Sequence, residues 1–140
     1  MKVYLASPFF NYVELQYVEE VEKILSDKGL EVFSPRLNED RNEDNRQQSW
    51  WSKQTFENDV KHIDWADCVV MLYHGGYSDS GTAWECGYAY ATGKPVIVVH
   101  LGKDSNLMIH EGCHSNIKLK ELLDYDFNVL PKKEYKGTMF

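Results

Sequence analysis

The fold is decided by the stretch CVVMLYHGGYSDSGTAWECGYA, residues 68–89. Its first six residues are almost entirely apolar, which predicts a buried strand. Gly75, Gly76 and Gly81 allow tight backbone turns, and the Ser78-Asp79-Ser80 segment offers good N-cap side chains for a following helix. On that helix we expect an inward face of small and aromatic residues, formed by Ala83, Trp84, Gly87, Tyr88 and Ala91.

Glu85 is a carboxyl group on this helix, within about two turns of the helix start. Ligands of open α/β sheets bind at the carboxyl ends of the strands, so Glu85 and the neighbouring Asp79 are the first candidates for chemistry. The alternative is structural: Asp79 only caps the helix, and Glu85 only meets a neighbouring cation.

Strands and helices alternate on both sides of this stretch. Strands are predicted over 2–6, 31–33, 68–73, 96–99 and 127–130, and helices over 12–28, 49–67, 78–92 and 117–123. Residues 38–48 are polar and predict a surface loop or lid, and residues 102–115 predict irregular structure. This order indicates an α/β chain with a parallel five-stranded sheet, flavodoxin-like or Rossmann-like, and helices on both faces.

Composition narrows the class of protein. A chain of 140 residues predicts a single domain over 1–140, and a net charge of −7 argues against a nucleic-acid partner. No apolar run approaches the roughly 20 residues of a membrane span, and the N-terminus enters a strand directly, so we expect neither a membrane partner nor a signal peptide. Cys68, Cys86 and Cys113 lack a CxxC spacing and predict a reducing, cytoplasmic setting.

Motifs for common cofactors are absent from the sequence. There is neither a P-loop pattern nor a GxGxxG after the first strand. His110-Glu111-Gly112-Cys113-His114 matches the HExxH pattern of zinc proteases, but Gly112 sits in its middle and no long amphipathic helix surrounds it. We therefore expect no metal and no organic cofactor.

The remaining acids suggest a reaction. If the strand order is that of flavodoxin, strands one and three are neighbours, and Tyr4 shares one crevice with Asp79 and Glu85. Carboxyl groups clustered with Asp59 would suit glycosidic bond chemistry, with one as nucleophile and another moving a proton. A carboxylate near a helix N-terminus is expected to stay ionised. The alternative for Asp59 is an ordinary acid on a helix surface.

Short motifs spread along nearly the whole chain make it similar to the nucleoside 2-deoxyribosyltransferases. They are VYLASPFF (3–10), ND (58–59), WAD (65–67), DSGTAWECGYA (79–89), GKP (93–95), NLM (106–108) and the terminal Phe140. The resemblance implies transfer of 2-deoxyribose between nucleobases by a retaining double displacement, with nucleosides and free bases as small-molecule partners.

The resemblance also implies residue roles. Glu85 matches the glutamate that attacks C1′, Tyr4 the tyrosine that orients it, and Asp59 an aspartate placed to move a proton at the base. Asp79 matches the aspartate that holds the 5′-hydroxyl. Asn106 matches a residue that reaches this hydroxyl from a neighbouring subunit, which implies a homo-oligomer built on a dimer, with a hexamer as one form.

The resemblance to this family also covers several aromatic positions and one loop. Met108 packs near the 5′-hydroxyl in the family, Phe9, Phe10 and Trp51 match aromatics near the base, and Phe140 matches an aromatic C-terminus that closes the site. Residues 38–48 align poorly. A glutamine of this region contacts the base in some relatives, and Gln47 and Gln48 are its candidate counterparts, so base preference stays open.

Alternative functions are an N-glycosidase of the same fold that hydrolyses 2′-deoxynucleoside 5′-monophosphates, a non-catalytic nucleotide-binding module and a zinc hydrolase. Relatives of the first kind carry serine instead of the 5′-binding acid, so Asp79 favours a free 5′-hydroxyl. The second would tolerate Glu85→Ala, and the third would require stoichiometric zinc.

Overall fold

A five-stranded parallel sheet covered by helices makes up the protein, and the computed structural model describes residues 1–76 and 79–140. The strands are β1 (Lys2–Ala6), β2 (Glu31–Phe33), β3 (Cys68–Tyr73), β4 (Val96–His100) and β5 (Ser115–Lys118). The helices are α1 (Tyr12–Asp27), α2 (Pro35–Asn38), α3 (Glu43–Arg46), α4 (Ser49–Trp65), α5 (Ser80–Ala91), α6 (Leu107–Glu111) and α7 (Leu119–Leu122).

The strand order is β2-β1-β3-β4-β5, and every pairing is parallel. Strands β1 and β3 are direct neighbours, with Tyr4 opposite Val69 and Ala6 opposite Met71. The predicted single-domain, flavodoxin-like α/β fold is therefore confirmed. Strand order reverses between β1 and β3, and this places a crevice at their carboxyl ends.

The two faces of the sheet carry separate cores because successive side chains of a strand point to opposite faces. Val3 and Leu5 pack with residues of α1 and α7 on one face. Tyr4 and Ala6 pack with residues of α4 and α5 on the other, including Ile63. Tyr4 thus extends from β1 towards the helix that carries Glu85.

Helix α5 begins where the sequence indicated, but it buries a different face. Asp79 is its N-cap, and Ser78, another predicted cap residue, lies outside the described residues. Its buried residues are Thr82, Cys86 and Ala89, at helical spacing. The predicted inward set of Ala83, Trp84, Gly87, Tyr88 and Ala91 was wrong, since none of these is buried and Trp84 stacks on Tyr88 at the surface.

The C-terminal third differs most from the prediction. The fifth strand is Ser115–Lys118, not 127–130, and the helix predicted over 117–123 is only Leu119–Leu122. Asp126 accepts backbone hydrogen bonds from Asn128 and Val129, and Leu130 has a φ of 52°, so residues 127–130 turn. The segment predicted as irregular, 102–115, contains α6.

Residues 38–48 are not one continuous loop. Asn38 ends α2, Glu43–Arg46 forms α3, and Gln48 is the N-cap of α4. Helix α4 ends at Trp65, two residues before the predicted end. Within 1–76 and 79–140, no helix combines the length and the apolar character that crossing a membrane requires.

Candidate functional site

A cavity of about 510 Å³ opens at the carboxyl ends of β1, β2 and β3. It is lined by Ser7, Phe9, Phe10, Pro35, Glu39, Arg46, Trp51, Asp59, Asp79, Gly81, Thr82 and Glu85. The structure therefore brings together most of the residues that the sequence singled out. Tyr4 lies beneath this cavity, fully buried in the core.

Glu85 and Tyr4 form the buried floor of the site. Glu85 Oε2 and the Tyr4 hydroxyl are both buried and have no hydrogen-bond partner within the described ranges. Burial raises the pKa of Glu85 to about 8, and the nearby Tyr4 hydroxyl opposes this by lowering that pKa, although the two groups do not meet the geometry of a formed hydrogen bond. This raised pKa favours the protonated form of Glu85 at neutral pH, contrary to the expectation of an ionised carboxylate.

The reason for this difference is the depth of Glu85 in the helix. It lies in the second turn of α5, where the dipole of the helix N-terminus has weakened and loss of solvent dominates. The charges of Asp59 and Asp79 raise its pKa further. Tyr4 keeps its proton, because burial and the charges of Glu85 and Asp59 raise the pKa of its hydroxyl far above the usual range.

Asp59 is not a solvated surface acid. It lies on α4, is partly buried and lines the cavity with Glu85. Burial, followed by the negative charge of Glu39, raises the pKa of Asp59 to about 6. A carboxyl group with such a pKa exchanges a proton readily near neutral pH, which is the property required of a general acid or base.

Asp79 has the structural role that its position suggested, and it also borders the cavity. Its Oδ2 accepts hydrogen bonds from the backbone N–H of Thr82 at 2.8 Å and from the Thr82 hydroxyl at 2.7 Å. These bonds cap α5 and fix the carboxylate at the cavity wall.

Two charged lining residues were missed by the sequence prediction. Glu39 follows α2, and its side chain is only 9% exposed. Its Oε1 accepts a hydrogen bond from Arg46 Nη2 at 3.1 Å, and the Arg46 guanidinium lies 5.5 Å from the Trp51 ring centroid. Gln47 and Gln48 do not line this cavity. No periodicity marks Glu39, so only its place in the fold reveals it.

Asn106, Met108 and Phe140 lie elsewhere in the same chain. Asn106 is the N-cap of α6, and with Met108 it lines a second, largely apolar cavity of about 540 Å³. Met108 is 74% exposed. Phe140 pairs through its backbone with Ser105 and Leu107, and its side chain is 69% exposed, so the tail is docked beside Asn106.

The two histidines of the HExxH match do not share a helical face. His110 is buried in α6, which ends at Glu111, and its Nδ1 pairs with Asn116 Oδ1 at 2.9 Å. His114 lies beyond the helix, and its Nε2 hydrogen-bonds the Leu130 carbonyl at 2.7 Å. In residues 1–76 and 79–140, no group of three or more His, Cys, Asp or Glu side chains has the arrangement of a metal site.

Comparisons with known proteins agree on one family. A sequence profile described as "Nucleoside 2-deoxyribosyltransferase" matches residues 3–118. A curated nucleoside deoxyribosyltransferase from Lactobacillus leichmannii is 32% identical over 94 residues, which make up 64% of this chain. The aligned part spans 60% of the length of that relative.

Solved structures extend the similarity over almost the whole chain. The 2-deoxyribosyltransferase from the psychrotolerant bacterium Bacillus psychrosaccharolyticus superposes with a TM-score of 0.90 at 40% identity, covering 96% of this chain and 99% of that one. A CMP N-glycosidase from Clostridium botulinum is more distant, with a TM-score of 0.62, 25% identity, and coverage of 89% and 96%.

Proposed function

Because the chain belongs to the nucleoside 2-deoxyribosyltransferase family, we propose that it transfers 2-deoxyribose from a 2′-deoxynucleoside to another nucleobase through a covalent deoxyribosyl–Glu85 intermediate. The observation that carries this proposal is the convergence of Glu85, Asp59 and Asp79 on one cavity, with the Tyr4 hydroxyl beneath it. Two carboxyl groups at one site are what retaining glycosyl transfer requires.

In the first step, a Glu85 carboxylate oxygen bonds to C1′ while the N-glycosidic bond breaks, and its electron pair leaves with the base. Asp59 donates a proton to the departing base, which contributes on the order of 100-fold or more. The developing positive charge on the sugar is stabilised by the neighbouring carboxylates. The absent 2′-hydroxyl makes this oxocarbenium-like state easier to reach.

In the second step, a nitrogen of the incoming base attacks C1′ and the bond to Glu85 breaks, so the configuration at C1′ is retained. Asp59 recovers the proton that the new base loses. Without an acceptor, water takes its place and the outcome is slow hydrolysis. Tyr4 remains neutral throughout and orients Glu85.

The substrate is proposed to have a free 5′-hydroxyl. Asp79 is fixed at the cavity wall by Thr82, and its carboxylate accepts a hydrogen bond from a hydroxyl but repels a phosphate. The N-glycosidase alternative takes some support from the similarity to the CMP N-glycosidase fold. Comparing thymidine with thymidine 5′-monophosphate separates the two: we expect activity on the nucleoside, and a preference for the monophosphate would favour the hydrolase.

We also propose that the site is completed by a second copy of the chain. Asn106 and Met108 do not line the cavity that holds Glu85, so within one chain they are separate from it. The segment that carries both also contains the exposed Leu107, and the exposed Tyr90 of α5 lines the same second cavity. A homo-oligomer would bring this segment, with Phe140 beside it, to the cavity of its neighbour.

The setting that we propose is nucleoside salvage in the cytoplasm. The reaction reuses free bases without consuming an energy-rich cofactor. Cys68, Cys86 and Cys113 are all free thiols, which suits a reducing compartment.

The test is base exchange. Wild type, Glu85→Ala and the control Glu57→Gln, an exposed acid on α4, are each incubated with 2′-deoxyinosine plus excess adenine, and separately with thymidine plus adenine. We expect 2′-deoxyadenosine from wild type and the control, and none from Glu85→Ala. Denatured wild type quenched during turnover should carry one deoxyribosyl group on the peptide that contains Glu85.

Two results would contradict the proposal. Product from Glu85→Ala at the wild-type rate would remove Glu85 as nucleophile. Free base and deoxyribose alone, at saturating adenine, would make the protein a hydrolase and leave the acceptor step unsupported.

A further inference from the structure

We propose that Glu39 is a specificity-determining residue that favours nucleobases carrying an exocyclic amino group at the edge facing it. The inference deepens the proposed function and rests on it. It concerns the part of the cavity proposed to hold the base, which the predicted candidates Gln47 and Gln48 do not line.

Glu39 lies on the side of the cavity where the base leaves. It borders the cavity that contains Glu85 and also a smaller adjoining one of about 270 Å³. The smaller cavity is lined by Asp59 and Trp51 but by neither Asp79 nor Glu85. Glu39 and Asp59 therefore share one wall, and Asp59 is the proposed proton donor to the base.

Flat side chains surround Glu39 at this wall. The Arg46 guanidinium lies over the Trp51 ring, and the Arg41 guanidinium lies 5.3 Å from the Phe9 ring centroid. Aromatic and guanidinium planes are surfaces on which a nucleobase stacks. A base held between such planes presents its edge, with its N–H and carbonyl groups, to the carboxylate of Glu39.

The carboxylate is fixed and can only accept hydrogen bonds. Glu39 Oε1 pairs with Arg46 Nη2 at 3.1 Å and lies 3.9 Å from Arg41 Nε, which keeps the side chain in place. An ionised carboxylate has several acceptor positions and no donor. An amino group satisfies it, whereas a bare ring position or a carbonyl at the same place leaves it without a donor.

The negative charge of Glu39 acts on Asp59, the proposed proton donor. After burial, it is the cause of the raised pKa of Asp59, so the two carboxyl groups are within electrostatic reach of each other. A neutral residue at position 39 would therefore change both base selection and the titration of Asp59. A merely structural role for Glu39 would change neither.

The test compares donor pairs that differ by one amino group. These are 2′-deoxyguanosine with 2′-deoxyinosine, and 2′-deoxyadenosine with the 2′-deoxyriboside of unsubstituted purine. We measure kcat/KM for base release by wild type, Glu39→Gln and Glu39→Asp. In at least one pair, wild type should prefer the amino member, and Glu39→Gln should reduce that preference by about 3- to 10-fold, the difference between a charged and a neutral acceptor.

Two controls make the result specific. Glu43→Gln removes an exposed carboxylate four residues away and should leave the ratios unchanged. Glu39→Asp retains the charge and should retain the direction of the preference even if the rate falls. In Glu39→Gln, the acid limb of the pH profile of kcat/KM should move to lower pH, because the charge of Glu39 no longer raises the pKa of Asp59.

The inference is overturned if both ratios stay within twofold of wild type in Glu39→Gln, or if Glu43→Gln shifts them equally. Its failure is distinct from a failure of the proposed function. Donors cleaved with unaltered ratios would exclude only the role of Glu39, whereas no cleavage of any donor by wild type would exclude the reaction itself.

Discussion

The protonation states of Glu85 and Asp59 should control the pH dependence of the reaction. The pKa of Glu85 is about 8 and that of Asp59 about 6, so a single proton shared by the pair resides mainly on Glu85. The proposed mechanism requires the opposite arrangement, with Glu85 ionised and Asp59 protonated. Because the pKa of Glu85 is the higher of the two, that form is the minor one of the singly protonated pair.

The expected profile of kcat/KM is a bell with apparent pKa values near 6 and 8 and a maximum near pH 7. These values belong to the coupled pair, not to either residue alone. The assay is base release from 2′-deoxyinosine between pH 5 and 9, at constant ionic strength and at a substrate concentration well below KM.

The perturbation is Asp59→Asn, which removes one member of the pair. Its residual kcat/KM should lose the alkaline limb, because no proton on residue 59 is then required, and should rise with pH to a plateau. The midpoint should lie below that of the Glu85 carboxyl in wild type, since the charge of Asp59 no longer raises its pKa. A flat wild-type profile, or an unaltered alkaline limb in Asp59→Asn, would refute this reasoning.

Three further outcomes are expected. Glu85→Gln should raise the free energy of unfolding by up to about 3 kcal/mol at pH 7, and this gain should vanish below pH 4.5. The reason is that a carboxyl group whose pKa is raised on folding destabilises the folded state only above its unfolded pKa. Chemical unfolding at pH 4 and pH 7 measures the gain, and an equal gain at both pH values would exclude this explanation. Asp79→Ala should lower the free energy of unfolding by about 1 kcal/mol, because the α5 cap is lost. It should also lower kcat/KM for 2′-deoxynucleosides but not for their 5′-deoxy analogues. Equal losses of kcat/KM for both substrates would mean that Asp79 acts only as a helix cap. Two variants, Glu85→Ala and Asn106→Ala, should each be inactive alone. If Asn106 acts across a two-fold interface, mixing and reassembling their subunits should restore about a quarter of the sites. No recovery of activity would place both residues of a site in one chain.

The predictable part of the fold followed from simple patterns. Residues 68–73 and 96–99 are apolar and strand-forming, and tertiary packing had only to bury them. The fifth strand could not be found this way. Ser115–Lys118 is short and polar because the Asn116 side chain bonds with His110 and with the Lys133 carbonyl. The apolar residues at 127–130 resemble a strand, but Phe127 packs against Tyr125 in the core while Asp126 holds the following residues in a turn.

In the candidate site, the positions of the main residues were predictable from the sequence, but the protonation state of Glu85 was not. Tyr4 and Glu85 lie at fixed places relative to strand ends, so the topology alone brings them into one crevice. The protonation of Glu85 was mispredicted because the helix dipole is visible in a sequence and desolvation is not. Burial is the largest cause of the raised pKa of Glu85, which reaches about 8.

Base selection lies where sequence patterns are least informative, and the structure gives a reason. Residues 39–46 have neither an apolar face nor a strand pattern, and their arrangement depends on ion pairs between Glu39 and two arginines, Arg41 and Arg46. No core residue constrains this segment, so substitutions there can change the wall of the cavity without disturbing the sheet. Glu85 and Asp79 have no such freedom, since one sits above a buried tyrosine and the other caps the helix that carries both chemistry and core. If both proposals hold, the cavity can keep its reaction while the choice of base changes through Glu39 and its ion pairs.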